Sequence, residues 1–336
     1  MSRTRNTLGM MGLHGGAMPT IARLLFFLLI LAGQAAAQPY PSQPIRLIAP
    51  FPPGGSVDIM ARLIADPLAA QLGGKIVIEN RSGASGNIGM ELAARSKPDG
   101  YTLVLNTIPL ATNQALFDKL TWDPIKDFSP IGMVATGAHA LVVPPRVTAA
   151  SVKELIELAR ANPGKLSYAS AGVGTTFHLA GEMFKDATNT FILHVPYRGG
   201  GPALADTLGG QVDLSFPTIS AAAPHVKAGR LRALAVTDGT RSAVLPDVPT
   251  MHEAGVKDFQ FTQWLALLAP ANTPREVVTR LNEALRATLN SKDVREKFAQ
   301  QGFDPFIGSP DEAAKFIASE VQRFGRLIKA RKITAE

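Results

Sequence analysis

From residue 45 onward one rhythm repeats: a short apolar run, a glycine or proline turn, then apolar positions spaced three and four apart. Ile45–Ala49 reads as a buried strand, and Gly54-Gly55 opens a helix carried by Met60, Leu63, Ile64 and Leu68. Ile76–Ile78 is the next strand, followed by a glycine-rich turn and a helix from about Ile88 to Ala94; Tyr101–Leu105 is a third strand. Strand, glycine turn and helix in alternation predict an α/β fold with mostly parallel sheets flanked by helices.

The rhythm restarts after Pro144-Pro145, with strands expected at Leu166–Ala169, Ile192–Val195, Val212–Phe216 and Leu231–Val236 and a helix from about Thr176. Ser151–Glu154, Thr273–Glu276 and Ser309–Glu312 have the spacing of capping boxes, in which a hydroxyl and a glutamate satisfy the first free N–H groups of a helix. The last two carry proline at the first helical position and predict amphipathic helices at about 274–290 and 310–330. Strand-like pieces at Met133–Val143 and Phe259–Ala269 link the two sets. Two crossings predict a discontinuous first lobe (38–142 plus 264–336), an inserted second lobe (143–263) and a two-stranded hinge.

Ahead of the repeats, Leu24–Ala32 is an uninterrupted apolar run preceded by Arg23 and followed by Ala35-Ala36-Ala37. A basic flank, a short apolar core and small residues at the exit make 1–37 a secretory signal, with cleavage expected after Ala37 and Met18 an alternative start. At about 1.5 Å per residue this core is too short to span a bilayer of roughly 30 Å. The expected mature protein is therefore exported to the periplasm. Composition adds exclusions: the absence of cysteine among 336 residues removes disulfides, thiolate metal sites and a cysteine nucleophile. The net charge of +7 is scattered, with no basic run to suit nucleic acid.

The chemistry is expected where strands end and helices begin, the edge at which open α/β sheets bind ligands. Pro50–Asp58 (PFPPGGSVD) is such a place: glycines let a ligand approach the backbone, and the free N–H groups of a helix start favour an anion. A plain tight turn is the alternative. Ser170–Thr176 (SAGVGTT) repeats the arrangement and adds hydroxyls, one of which is expected to cap the helix. Two such loops, one per lobe, would grip an anion from both sides of a cleft. Asp58, beside that anion, is expected to turn back and cap its helix; Tyr197 and Arg198 end a strand near the cleft. His139, His178, His194, His225 and His252 show no metal-ligand spacing, and His178 reads as a packing or hydrogen-bonding residue. Neither a dinucleotide G-x-G-x-x-G nor a serine-hydrolase elbow is complete, so no catalytic residue, metal or cofactor is expected.

Segments Tyr40–Arg46, Pro53–Asp58, Glu79–Gly83, Lys97–Thr102, Trp122–Phe128, Ala171–Thr175, His194–Gly199, Gly229–Val236, Leu245–Thr250 and Ala269–Pro274 together resemble the Bug-type extracytoplasmic solute receptors, the substrate-binding proteins of tripartite tricarboxylate transporters. The resemblance covers essentially the whole mature chain in order. It implies a two-lobed periplasmic binding protein (type II-like) that closes on a small organic acid and delivers it to a two-subunit membrane permease driven by an ion gradient. By motif it implies ligand contacts from Gly54, Gly55, Ser56 and Asp58 and, on the second lobe, Ser170, Gly174 and Thr175. Phe51, Asn106 and Thr107 join the first set as expected ligand-binding residues; Thr176, Tyr197, Arg198 and Phe216 join the second. Asn106–Leu110 is more apolar than the small polar residues usual there in the family, which points to an apolar or aromatic ligand body. A di- or tricarboxylate or an aromatic acid is the expected ligand, and the receptor is expected to act as a monomer. Two other roles use the same scaffold: ligand sensing for a membrane sensor kinase, and a secreted hydrolase, for which a nucleophile–base pair is lacking.

Overall fold

The computed structural model describes residues 40–334 other than 258 and 332, so the expected signal segment 1–37 lies outside the described residues. In chain order the elements are β1 (Ile45–Ala49), α1 (Ser56–Leu72), β2 (Ile76–Asn80), α2 (Asn87–Ala94), β3 (Thr102–Asn106), α3 (Pro109–Leu116), β4 (Phe128–Ala138), β5 (Ala140–Val143), α4 (Val152–Ala161), β6 (Ser167–Ser170) and α5 (Thr176–Thr188). They continue with β7 (Leu193–Pro196), α6 (Gly200–Leu208), β8 (Leu214–Ser215), α7 (Ile219–Lys227), β9 (Arg232–Val236), β10 (Thr262–Pro270), α8 (Arg275–Asn290), α9 (Lys292–Gln300), β11 (Phe303–Pro305) and α10 (Pro310–Arg331).

The strands form two sheets, one per lobe, in the orders β11-β4-β10-β3-β1-β2 and β7-β6-β8-β5-β9. Pairing is parallel where strand and helix alternate: β1 with β2 and β3, and β6 with β7 and β8. It is antiparallel where the crossing strands enter, β10 against β3 and β4, and β5 against β8 and β9. The sheets are therefore mixed, because a strand that carries the chain between lobes enters without a helical crossover to turn it. The chain leaves the first sheet at Ala138, joins the second at Ala140, and returns between β9 and β10.

Strand period assigns the core. Leu103 and Leu105 of β3 enter the layer under α1, α8 and α9, while Val104 between them enters the layer on the opposite face. In β5, Ala140 and Val142 join the cluster beneath α7, and Leu141 and Val143 face the other way. One apolar cluster is continuous across both lobes, from Val104 and Trp264 to Leu141, Phe184 and Phe216.

Two of the three expected capping boxes form. Ser151 Oγ accepts from Glu154 N (3.2 Å) and the glutamate accepts from Ala150 N (2.9 Å). Ser309 Oγ accepts from Glu312 N (3.2 Å) while Glu312 accepts from Ser309 N (2.7 Å). At α8 the expectation is corrected: Thr273 Oγ1 donates to Pro270 O (2.8 Å), tying down the end of β10, and the N-cap position is Pro274, with no side-chain cap.

Candidate functional site

A cavity of about 70 Å³ lies where five strand-to-helix junctions converge. The first lobe contributes Phe51, Pro52, Gly54, Gly55, Ser56 and Val57 from β1–α1, with Thr107 and Pro109 from β3–α3. The second contributes Ala171, Thr175, Thr176 and Phe177 around the start of α5, Gly200, Gly201 and Leu204 from α6, and Thr218 and Ala221 from α7. No charged side chain lines it.

What the walls offer an anion is backbone. The first intrahelical bond of α1 is Ile59 N to Gly55 O (3.0 Å), which leaves the N–H groups of Ser56, Val57 and Asp58 ahead of it. In α5 that bond is Leu179 N to Thr175 O (3.0 Å), leaving those of Thr176, Phe177 and His178. The starts of α6 (Gly200, Gly201) and α7 (Ile219, Ser220) are likewise ahead of Ala203 N to Gly199 O and Ala221 N to Thr218 O. The start of α3 is different: Pro109 has no N–H, and Leu110 N and Ala111 N already bond Thr107 O and Ile108 O. One donor-bearing helix start thus comes from the first lobe and three from the second.

The β1–α1 loop is held by Asp58. Its carboxylate accepts from Gly54 N (2.9 Å), Asn80 Nδ2 (3.0 Å) and Arg62 Nε (3.1 Å), and Asn80 also donates to Phe51 O (3.1 Å). Burial raises the carboxyl pKa, but the hydrogen bonds from Arg62, Gly54 and Asn80 outweigh it and hold it below the ordinary value. The expected helix cap by Asp58 does not form: its carboxylate takes Gly54 N, ahead of the helix, together with Asn80 and Arg62, and so fixes the loop from behind. Gly54 sits at φ +82°, where glycine is at ease; Gly55, at φ −81°, has ordinary space for a Cβ, the nearest atom being Pro52 O at 3.6 Å.

The β6–α5 loop spends its polar atoms inward. Ser170 is fully buried and its Oγ shares a hydrogen bond with His194 Nε2 (2.6 Å) and accepts from Gly172 N (3.1 Å). Thr175 Oγ1 donates to Gly172 O (2.6 Å). Gly174 N donates to His178 Nδ1 (3.1 Å), which requires that nitrogen unprotonated; burial, with Lys185 nearby, lowers the His178 pKa to about 4. The rings of His178 and His194 stack at 4.2 Å, with Tyr168 against His194 at 4.8 Å. Gly174 O accepts from Thr112 Oγ1 of α3 at 2.9 Å, so this loop also closes the seam between lobes.

Of the residues expected from the sequence, Phe51, Gly54, Gly55, Ser56, Thr107, Thr175 and Thr176 line the cavity. The rest lie around it. Asn106 Oδ1 accepts from Thr107 N (2.8 Å), Tyr197 OH donates to Asp206 (2.7 Å), and Phe216 is buried against Phe184 (5.8 Å). Arg198 is exposed to solvent. Asp58, Ser170 and Gly174 support the loops as described. Phe177, Gly200, Gly201, Leu204, Thr218 and Ala221 are wall residues absent from that expectation. Gly199-Gly200-Gly201 at the end of β7 carried a usable signal, a glycine run opening a helix; Leu204 and Ala221, inside short helices, carried none.

Residues 60–333 match the sequence profile of the family described as tripartite tricarboxylate transporter family receptor. Protein BugT of Bordetella pertussis is 39% identical over 301 residues, covering 89% of this chain and 92% of BugT. The chain belongs to this receptor family. The tripartite tricarboxylate receptor fold is shared by an R. palustris protein solved with adipate (37% identity, TM-score 0.85, covering 88% of this chain and 99% of that one). It is shared also by MatC from Rhodopseudomonas palustris with bound malate (30% identity, TM-score 0.80, covering 86% and 100%). Among the described residues no helix is long and apolar enough to cross a membrane.

Proposed function

We propose that the chain is a periplasmic receptor that captures a small organic carboxylate in the cleft between its lobes and presents it, closed, to a two-subunit membrane permease driven by an ion gradient. The observation that carries this reading is the convergence of donor-bearing helix starts from both lobes on one cavity without a charged side chain. Each helix start favours a negative group by about 0.3–2 kcal/mol, and a hydrogen bond to a charged group contributes roughly 1.5–3 kcal/mol. A few such bonds, with burial of the ligand body, reach the roughly 8 kcal/mol of micromolar binding after ordering costs. The adipate and malate held by the two R. palustris relatives support the same ligand class.

Closure follows because the donors are divided between lobes: a ligand shifts the open–closed equilibrium only through contacts made in one state and not the other. The walls supply positioning but no nucleophile–base pair, so the ligand is released unchanged. Residues 1–37 would direct export and be removed near Ala37, and the receptor would act as a monomer.

Titration calorimetry of the purified mature chain against mono-, di- and tricarboxylates and aromatic acids tests this. Micromolar binding of at least one acid, recovered intact, is the expected result. Folded, ligand-free protein silent to the whole panel would count against the reading, as would turnover of the bound acid.

A further inference from the structure

Two polar side chains meet at the pivot between the lobes, one fastened to each. His139 is the single residue between β4 and β5. Its N–H donates to Thr237 Oγ1 (2.9 Å), its carbonyl accepts from Thr237 N (2.9 Å), and its Nδ1 donates to Phe216 O (2.8 Å), all within the second lobe. Gln263 belongs to the first lobe: it pairs with Gly137 across β10 and β4, and the carbonyl of its neighbour Trp264 accepts from Thr107 Oγ1 (2.6 Å). Both residues are fully buried. Burial lowers the His139 pKa to about 4, so the ring is neutral; with its proton on Nδ1, the Nε2 atom is an acceptor. Gln263 lies beside this ring, yet His139 Nε2, Gln263 Nε2 and Gln263 Oε1 have no hydrogen-bond partner.

The lobes around this pivot are closed on each other. Thr112 Oγ1 donates across the seam to Gly174 O (2.9 Å), and Pro52 fills the space that a Cβ on Gly199 would take. Closure thus leaves one donor group and two acceptors buried and unpaired at the hinge, which is costly. Because each side chain is fixed to a different lobe, rotation about the pivot moves one past the other and opens both to water. We propose that His139 and Gln263 are positioning residues that set the receptor's affinity from the hinge: their polar atoms are satisfied in the open form and unsatisfied in the closed one, which holds the empty receptor open until a ligand bridges the lobes. The inference rests on the ligand-driven closure above and adds what opposes it. Neither side chain lines the cavity, so the bias acts on every ligand alike. A receptor whose competent form is sparsely populated binds with its intrinsic affinity reduced by that fraction.

Gln263→Met keeps a long unbranched side chain and removes both unpaired amide atoms; Gln263→Leu does the same with a different shape, should the first not fold. Small-angle scattering of the ligand-free protein is expected to show an open parent and a more compact variant. Calorimetry against the same panel of acids is expected to give about 10-fold tighter binding of each acid that the parent binds, by one common factor. An empty parent already as compact as the folded variants would overturn the proposal, as would gains confined to one acid. A water bridging His139 Nε2 and the Gln263 amide in a crystal structure of the closed receptor would also overturn it. The scattering needs no ligand, so a compact variant together with a panel silent toward parent and variant would uphold the hinge bias while the carboxylate reading fell.

Discussion

The loops β1–α1 and β6–α5 have the same plan, a strand end, two glycines and a helix start, yet they do different work. In the first, Asp58 grips the loop from behind and the face around Gly55 and Ser56 stays open toward the cavity. In the second, the glycines are packed: Gly174 sits at φ +76°, and a Cβ there would lie 2.4 Å from Leu116 Cδ1 of the first lobe. One glycine pair leaves room for a ligand and the other leaves room for the opposite lobe. A glycine-rich turn therefore identifies close approach without saying what approaches.

The largest expected effect separates the two glycines directly. Gly55→Val should keep the fold, because its φ is ordinary and its Cβ meets nothing closer than 3.6 Å. It should nevertheless cost about 1.5–3 kcal/mol of binding for each charge-assisted hydrogen bond it screens. Calorimetry with an unchanged thermal melt is the expected pattern; an unfolded variant would assign Gly55 to the turn alone. Gly174→Val should be next: at φ +76° a side chain is strained in open and closed forms alike, which lowers the melting temperature, and overpacking against Leu116 costs about 1–3 kcal/mol more in the closed form. Small-angle scattering should show a more open molecule with ligand present, and a closed one would dissolve the distinction between the loops.

The loops should also part company with pH. His178 is held near 4 by burial, below its ordinary value of 6.5, so its unfolded form binds the extra proton between those values. The stability it contributes is present above 6.5 and lost as pH falls toward 4, on the order of 1 kcal/mol per pH unit. Asp58, with its pKa lowered from 3.8, should hold the first loop until the pH falls below that value. Melting temperature against pH, in the parent and His178→Gln, checks this; a parent curve flat from 7 to 4 would contradict it.

A smaller effect is expected of Ser170→Ala. Its hydroxyl serves His194 and Gly172, so the loss, about 1 kcal/mol, should fall on stability, with ligand affinity nearly unchanged. An affinity loss without destabilisation would place that hydroxyl on the ligand. Smallest is Arg198→Ala, an exposed residue outside the cavity walls, for which affinity within about twofold is expected. A tenfold loss would bring its guanidinium into the site.

Much of this was legible in the chain. Short continuous apolar runs marked β1, β3 and β9 to within a residue, because a strand buried on both faces, as β3 is throughout, has few other compositions available to it. Ser151–Glu154 and Ser309–Glu312 marked their helices because a capping box is local chemistry, complete within one turn. Thr273 failed by the same logic, since the carbonyl that captured its hydroxyl belongs to the end of a strand paired across the sheet. At the site, the sequence determined that strands would end in glycine turns ahead of helix starts, and hence that backbone N–H groups would be on offer. Only the tertiary structure decided that three further helix starts meet them, that Thr107 and Thr175 face inward to carbonyls, and that Gly174 abuts α3. A residue's local geometry follows from its neighbours in the chain, but which of its protons remain free depends on what folding brings alongside.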